Sequence, residues 1–320
     1  MMENTKDVKQ LILEVEKEIS KIVVGQRKVI HEILRAVICN GHVLVEGVPG
    51  VAKTLIVRAI AKVLGGDMKR IQFTVDLLPT DITGIMSYTP QKGFEVIKGP
   101  VFTNFVLADE INRSPPKTQS ALLEAMQEKQ VTISRETYNL PKPFFVMATQ
   151  NPLEVSGVYT LPEAQIDRFL FKLLIGYPTP EEEKRVLNKN TTINSFEDFE
   201  LKSILSPEII IELQEQVKTV FTSDAIADYI VDIVNATRSK DSNYSKYISY
   251  GASPRASIAL HIAAKAEALM QGREYVMPED VDKVVYSVLR HRIILNYEAE
   301  AEKITTEKVI KHFLGKIRAP

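Results

Sequence analysis

One short stretch constrains this chain more than any other: Gly47-Val48-Pro49-Gly50-Val51-Ala52-Lys53-Thr54. It follows His42-Val43-Leu44-Val45-Glu46, which reads as a strand ending at Gly47. It precedes Lys53 to Leu64, which reads as a helix stopped by Gly65-Gly66. A loop between a buried strand and a helix turns successive backbone N–H groups, and the helix N-terminus, toward phosphate oxygens. Lys53 would reach the β- and γ-phosphates and Thr54 would ligate Mg²⁺. The full pattern asks for glycine before the lysine, and Ala52 stands there. We read that position as the first of the helix, where Ala is comfortable, with Gly50 supplying backbone freedom at the bend.

The surrounding pattern predicts the fold that such a loop needs. Leu11, Val15 and Ile19 recur at helical spacing, as do Val29, Ile33, Leu34 and Val37. Strands are expected at Arg70 to Thr74, Asn104 to Ala108, Phe144 to Thr149 and Phe169 to Ile175. The second and third are apolar nearly throughout, as strands buried on both faces of a parallel sheet are. Ser114-Pro115-Pro116 reads as a helix start with Ser as N-cap. Strands alternating with helices imply an α/β, doubly covered parallel sheet. Two hairpins interrupt the alternation: Ile85 to Tyr88 with Phe94 to Ile97, and Val131 to Ser134 with Thr137 to Leu140, Arg135-Glu136 at its tip. After Tyr177-Pro178-Thr179-Pro180 the pattern turns to helices only. The expected division is an α/β domain over 1–180 and a smaller all-α domain over 181–320.

Acids then fall where such a sheet would use them. Phe105-Val106-Leu107-Ala108-Asp109-Glu110 is a buried strand ending in two carboxylates, 56 residues after Lys53. Strand ends in open α/β sheets carry ligand-binding groups. Asp109 would hold Mg²⁺, directly or through water, and Glu110 would polarise an attacking water. Standing alone, the pair would read as the acidic start of a helix. Asn151 follows the next buried strand and could orient that water, although Asn151-Pro152 by itself is a turn dipeptide.

Two arginines fit the same chemistry. Arg168, after the short helix predicted within Leu161 to Phe169, has no evident route to its own phosphate loop and would act in a neighbour's site; otherwise it pairs with Asp167 or Glu163. Arg255 lies in the first turn of a helix, where a cation opposes the helix dipole unless a phosphate offsets it. The plainer reading is a solvated arginine.

Composition excludes other classes. Lys plus Arg number 40 against 41 Asp plus Glu, so the chain lacks the basic excess of a nucleic-acid-coating protein. One cysteine, Cys39, forbids an internal disulfide and fits a reducing, cytoplasmic compartment. No HExxH and no Cys/His cluster point to zinc. The N-terminus lacks a signal-peptide core, and no run is long and apolar enough to span a membrane.

Taken together, these residues resemble the AAA+ ATPases of the MoxR branch. The resemblance spans essentially the whole chain and rests on Val24-Gly25-Gln26, Glu46 to Thr54, Ala108 to Arg113, Ala148 to Pro152, Leu161 to Phe169 and Gly251-Ala252-Ser253-Pro254-Arg255. Alanine before the loop lysine is usual in that branch. The resemblance implies ATP and Mg²⁺ as cofactors, with Lys53 and Thr54 as Walker A and Asp109 and Glu110 as Walker B. It implies Asn151 as sensor 1, Arg168 as arginine finger and Arg255 as sensor 2. Val23, Val24, Gly25 and Gln26 would line the adenine pocket. It also implies a homo-oligomeric ring, expected to be a hexamer, whose two hairpins face a central pore. Protein clients, von Willebrand factor A-like partners and help with metal or cofactor insertion belong to the same expectation. The alternatives are a nucleic-acid motor and a magnesium-chelatase-like subunit. Tyr88 and Phe94 on the first hairpin could grip polypeptide or stack on bases, and the near-zero net charge favours polypeptide.

Overall fold

The computed structural model describes residues 5–48, 50–91, 93–152, 157–189, 196–240 and 243–320. The chain forms two compact units. One comprises Leu13–Arg168 with Leu173–Ile211; the other comprises Met1–Ile12, Phe169–Lys172 and Glu212–Pro320.

The first unit is built on a five-stranded sheet. Its strands are β1 (Val43–Gly47), β2 (Met68–Gln72), β5 (Phe105–Asp109), β8 (Phe145–Gln150) and β9 (Phe171–Ile175), in the order β2-β5-β8-β1-β9. The ladders β2–β5, β5–β8 and β8–β1 are parallel. Every residue of β5 is buried, and so are the first five of β8. Successive side chains on a strand point to opposite faces, so burial without alternation means both faces are covered. Helices α1 (Thr5–Ile19), α2 (Arg27–Ile38), α3 (Lys53–Val63), α4 (Pro79–Thr83), α5 (Pro116–Glu128), α6 (Glu163–Ile166) and α7 (Pro180–Lys189) lie between and around the strands in chain order. Both expected hairpins form: β3 (Gly84–Thr89) pairs antiparallel with β4 (Gly93–Lys98), and β6 (Gln130–Ile133) with β7 (Glu136–Asn139).

Ser114 does not cap α5 as the sequence suggested. A residue before proline is driven out of the helical region. Ser114 precedes Pro115 and Pro115 precedes Pro116, and both are extended, with ψ of 156° and 154°. The helix can therefore begin only at Pro116, Pro115 takes the cap position, and the buried Ser114 hydroxyl donates to Ile111 O at 3.4 Å.

The second unit contains α8 (Pro207–Thr219) from Glu212 onward, α9 (Asp224–Ala236), α10 (Pro254–Met270), α11 (Pro278–Leu289), α12 (Tyr297–Ala301) and α13 (Thr306–Leu314). It is not helical throughout: β10 (Ile248–Tyr250) pairs antiparallel with β11 (Ile294–Leu295). Strands of three and two residues show no alternation, so the sequence hid this ladder. Ala256, Ala259, Ala263 and Ala266 are buried on α10, and Val281, Val284 and Val288 on α11. Arg273 binds the fully buried Asp280 through both guanidinium ends.

One buried histidine ties β8 to α5. Val146 N donates to His42 Nδ1 and the ring's Nε2 donates to Met126 O, each at 3.1 Å. Both bonds need the neutral ring, and burial pushes the imidazole down to about 4. The unfolded ring titrates near its ordinary value, about 6.5. Stability is therefore full above that pH and falls as pH drops toward 4, because only the unfolded chain takes up the proton. The loss is about 3 kcal/mol for this group. Chemical unfolding between pH 7 and pH 4.5 should show that slope, and His42→Gln should flatten it.

Candidate functional site

Parallel register brings the sequence motifs to one edge. Leu44, Ala148, Ala108 and Ile71 form one row across β1, β8, β5 and β2. In the next row, Val45 pairs with Thr149 and Asp109 with Gln72, the Thr149 hydroxyl bonding Asp109; β5 and β2 end there, while β1 and β8 pair once more, Glu46 with Gln150. The loop opening at Gly47, the acids at Asp109 and Glu110, and the buried Asn151 all leave the sheet at this edge. One strand separates β1 from β5, which places the loop strand and the acid strand roughly 10 Å apart.

The loop is built to face an anion. Gly50 has φ 81° and Ala52 has φ 61°, both left-handed, and successive N–H groups in such turns converge. Lys53 Nζ donates to Gly47 O at 2.9 Å, which holds the ammonium over the loop. Thr54 follows on the first turn of α3, half-buried, and Val51 is buried. Pro49 lies outside the described residues. Ala52 is not the first helical residue but the N-cap, and its left-handed backbone is the reason the general pattern prefers glycine there. An L-residue in that conformation costs about 1–2 kcal/mol.

The acids are held by residues that the sequence reading passed over. Thr149 Oγ1 donates to Asp109 Oδ1 at 2.7 Å and accepts from Glu110 N at 2.9 Å, so one buried hydroxyl fixes both positions. Arg70 grips Asp109 Oδ2 through Nε at 3.1 Å and Nη2 at 2.7 Å. Gln72 Nε2 donates to Glu110 Oε2 at 2.8 Å, and Arg113 Nε lies 3.2 Å from the same oxygen. Glu110 itself has φ 57°, which ends the strand and turns the chain into the short helix Ile111–Arg113. The available signal was alternation: Arg70 and Gln72 flank buried Ile71 on an edge strand and so share one face.

Val23, Val24 and Gly25 line a cavity of about 570 Å³ together with Ile30, Glu182 and Arg185. A Cβ on Gly25 would sit 2.7 Å from the Glu182 carboxyl carbon, and its φ is 71°, so this wall needs glycine. Gln26 is left-handed too and donates to Gly176 O at 3.0 Å. Glu16, also on the wall, is buried, which would raise its carboxyl. The hydrogen bond and charge of His31, then Arg27, outweigh that and hold it below the usual carboxylate range.

Arg168 is exposed just after α6, its Nη1 donating to Leu123 O at 3.4 Å. Arg255 belongs to the second unit, exposed in the first turn of α10; Ser253 caps that helix by accepting from Arg255 N at 3.3 Å. On the first hairpin, Tyr88 is 62% and Phe94 74% exposed. Their ring centroids are 5.1 Å apart, so they pack on each other and not in the core. Arg135 is exposed at the tip of the second hairpin.

Comparison with known proteins shows the family. Residues 42–171 match the "ATPase family associated with various cellular activities (AAA)", and residues 240–313 match the AAA lid domain. The chain is 48% identical to Chaperone MoxR1 of Mycobacterium tuberculosis over 95% of its length and 81% of that protein. It is 31% identical to Protein MoxR of Paracoccus denitrificans over 95% of both. The chain belongs to the MoxR family of AAA+ ATPases. A crystal structure from Cytophaga hutchinsonii superposes with a TM-score of 0.91 at 48% identity, covering 99% of this chain and 97% of that one. The family makes the chain an ATP-hydrolysing P-loop enzyme, and the matched residues 42–171 include the edge described above. No helix among the described residues is long and apolar enough to cross a membrane.

Two substitutions test the local physics. Ala52→Gly removes the left-handed penalty but adds about 0.5–1 kcal/mol of unfolded-state entropy, so it should stabilise by no more than about 1.5 kcal/mol. Ala52→Val, β-branched, should destabilise in the same denaturation assay. Thr149→Val should cost about 1–3 kcal/mol, because the Glu110 N–H and Asp109 Oδ1 lose their partner, and should slow ATP turnover. Thr149→Ser should keep most of both.

Proposed function

We propose that this MoxR-family ATPase hydrolyses ATP with Mg²⁺ in a homo-oligomeric ring, expected to be a hexamer, and uses the cycle to remodel or mature protein clients. The observation that carries this reading is the exposed Arg168 on a subunit whose own edge gathers Lys53, Asp109, Glu110 and Asn151. The nucleotide-binding domain is taken as residues 1–180 and the lid as 181–320.

The donor set suits magnesium. Among the described residues no three His, Cys, Asp or Glu side chains gather as a metal cage. A hydroxyl at Thr54 and a carboxylate at Asp109 are hard oxygen ligands of the number Mg²⁺ takes from protein when phosphates supply the rest. Bound there, the metal would neutralise charge developing on the phosphates. Gly47, Val48, Gly50, Val51 and Ala52 would offer backbone N–H groups to the phosphates and Lys53 its ammonium, while Pro49, which has no N–H, would only shape the loop. Glu110 would accept a proton from the attacking water, and Asn151 would orient that water. Gln72 and Arg113 both meet Oε2 of Glu110, so Oε1 is the oxygen that would take the proton. Val23, Val24, Gly25 and Gln26 would hold the base, and Arg255 would meet the phosphates from the lid.

The exposed Tyr88–Phe94 pair supports a protein client, since paired rings outside any core form a contact surface. The turn between those strands includes Lys92, which lies outside the described residues. The name of Chaperone MoxR1 agrees with a chaperone role for this chain. Clients requiring metal or cofactor insertion, von Willebrand factor A-like partners and a cytoplasmic location belong to the same proposal.

The test mixes subunits. Arg168→Ala alone should lose about 10³-fold or more in turnover while binding ATP, because an arginine finger acts on the transition state. Lys53→Ala should lose nucleotide binding. Mixed rings pair an intact Lys53 site with an intact Arg168, so activity should reappear. Mixed rings as inactive as their parents would exclude action between subunits.

A further inference from the structure

The carboxylate expected to meet the metal already has a cation. Asp109 is buried. Its Oδ1 is committed to Thr149, and its Oδ2 accepts both Arg70 Nε and Arg70 Nη2. The same Nη2 donates to Gln72 Oε1 at 2.6 Å, so the guanidinium is held from two sides on the face of β2 that adjoins β5. An incidental surface ion pair would not show this. Arg70 spends a rotamer-rich side chain to cover the one oxygen of Asp109 that the sheet leaves open.

We propose that Arg70 is the resident counter-cation of Asp109 and competes with the divalent metal for Oδ2. The inference rests on the reading of Asp109 as a metal-binding group. A planar guanidinium satisfies a carboxylate oxygen through hydrogen bonds, whereas Mg²⁺ demands the same lone pairs. Asp109 can therefore serve the metal only as Arg70 lets go or shares. The consequence is a metal affinity set deliberately low until a nucleotide brings its phosphates. The arginine also keeps two neighbouring carboxylates, Asp109 and Glu110, from repelling each other in the interval. Arg70 touches no reacting atom; it is a positioning residue, acting through the charge and availability of Asp109.

The test reads metal binding and not turnover. Mn²⁺ is titrated by electron paramagnetic resonance against the full chain, in excess over ADP. Arg70→Met, similar in length but uncharged, should bind Mn²⁺ about tenfold tighter, since a cation beside a carboxylate commonly shifts its affinity for another cation by that order. Arg70→Lys, which keeps the charge, should stay near the wild type. A purely structural tie would give the opposite sign, because a loosened Asp109 binds metal less well. Arg70→Met binding Mn²⁺ no tighter than the wild type, with an unchanged thermal melt, overturns the proposal; should Arg70→Met not fold, Arg70→Gln is read in its place by the same criterion. Asp109→Asn separates the two layers. If it leaves Mn²⁺ affinity untouched, the reading of Asp109 fails. If it weakens Mn²⁺ binding while Arg70→Met does not strengthen it, only the counter-cation fails.

Discussion

Everything at this site depends on the register of β1, β8 and β5. The loop, the acids and Asn151 come from segments far apart in sequence, and only the row Val45–Thr149–Asp109 brings them to one level. In a sheet a slip of one residue turns every side chain to the opposite face. Here such a slip would take the Thr149 hydroxyl away from both acids. With both faces covered and apolar, burial alone does not choose between registers one residue apart, so the polar bonds of Thr149 to Asp109 and Glu110 carry that choice. The hydrophobic effect sets the sheet, and a single buried hydroxyl helps fix its register.

Adjacent carboxylates are costly wherever water is scarce, and the fold meets this by giving each its own partners. Asp109 takes Thr149 and Arg70, while Glu110 takes Gln72 and Arg113. The left-handed backbone at Glu110 stops the strand between them, so the two groups are not carried on one continuous pleat. Backbone strain of this kind persists where surrounding contacts over-determine it, and such positions cluster at functional sites. Ala52 is a second instance on the same edge. The loop tolerates a strained alanine because Val51 and Ile56 are buried on either side of it.

The fold was readable because its signals are strong and local. Apolar runs located the central strands, and the strand–loop–helix context located the phosphate loop. Ser206 and Ser253, each just before a proline that opens a helix, accept from backbone N–H groups of the first turn. What stayed hidden depends on pairing across the chain. Nothing in Arg70-Ile71-Gln72 announces that its neighbour strand ends in two acids; only the sheet order reveals it. The β10–β11 ladder was too short to carry a period, and Ser114 was misread because two successive prolines displaced the cap by one residue. Ala52 is the N-cap with a left-handed backbone, so it stands in the loop despite that backbone and not because a helix begins there.

The second unit follows a different physical plan, which bears on Arg255. Its core joins small side chains on α10 to valines on α11, and alanines permit close helix approach. Two buried carboxylates are individually neutralised, Asp280 by Arg273 and Glu267 by Lys283 at 2.9 Å. A buried charge stripped of its partner is strongly destabilising, so these pairs hold the helices in one arrangement. Arg255 stands on the first turn of α10, with Ser253 completing the cap. An arginine at a positive helix end is unfavourable by itself. The Glu267–Lys283 pair joins α10 to α11, so the turn that carries Arg255 is fixed by the packing of its own unit.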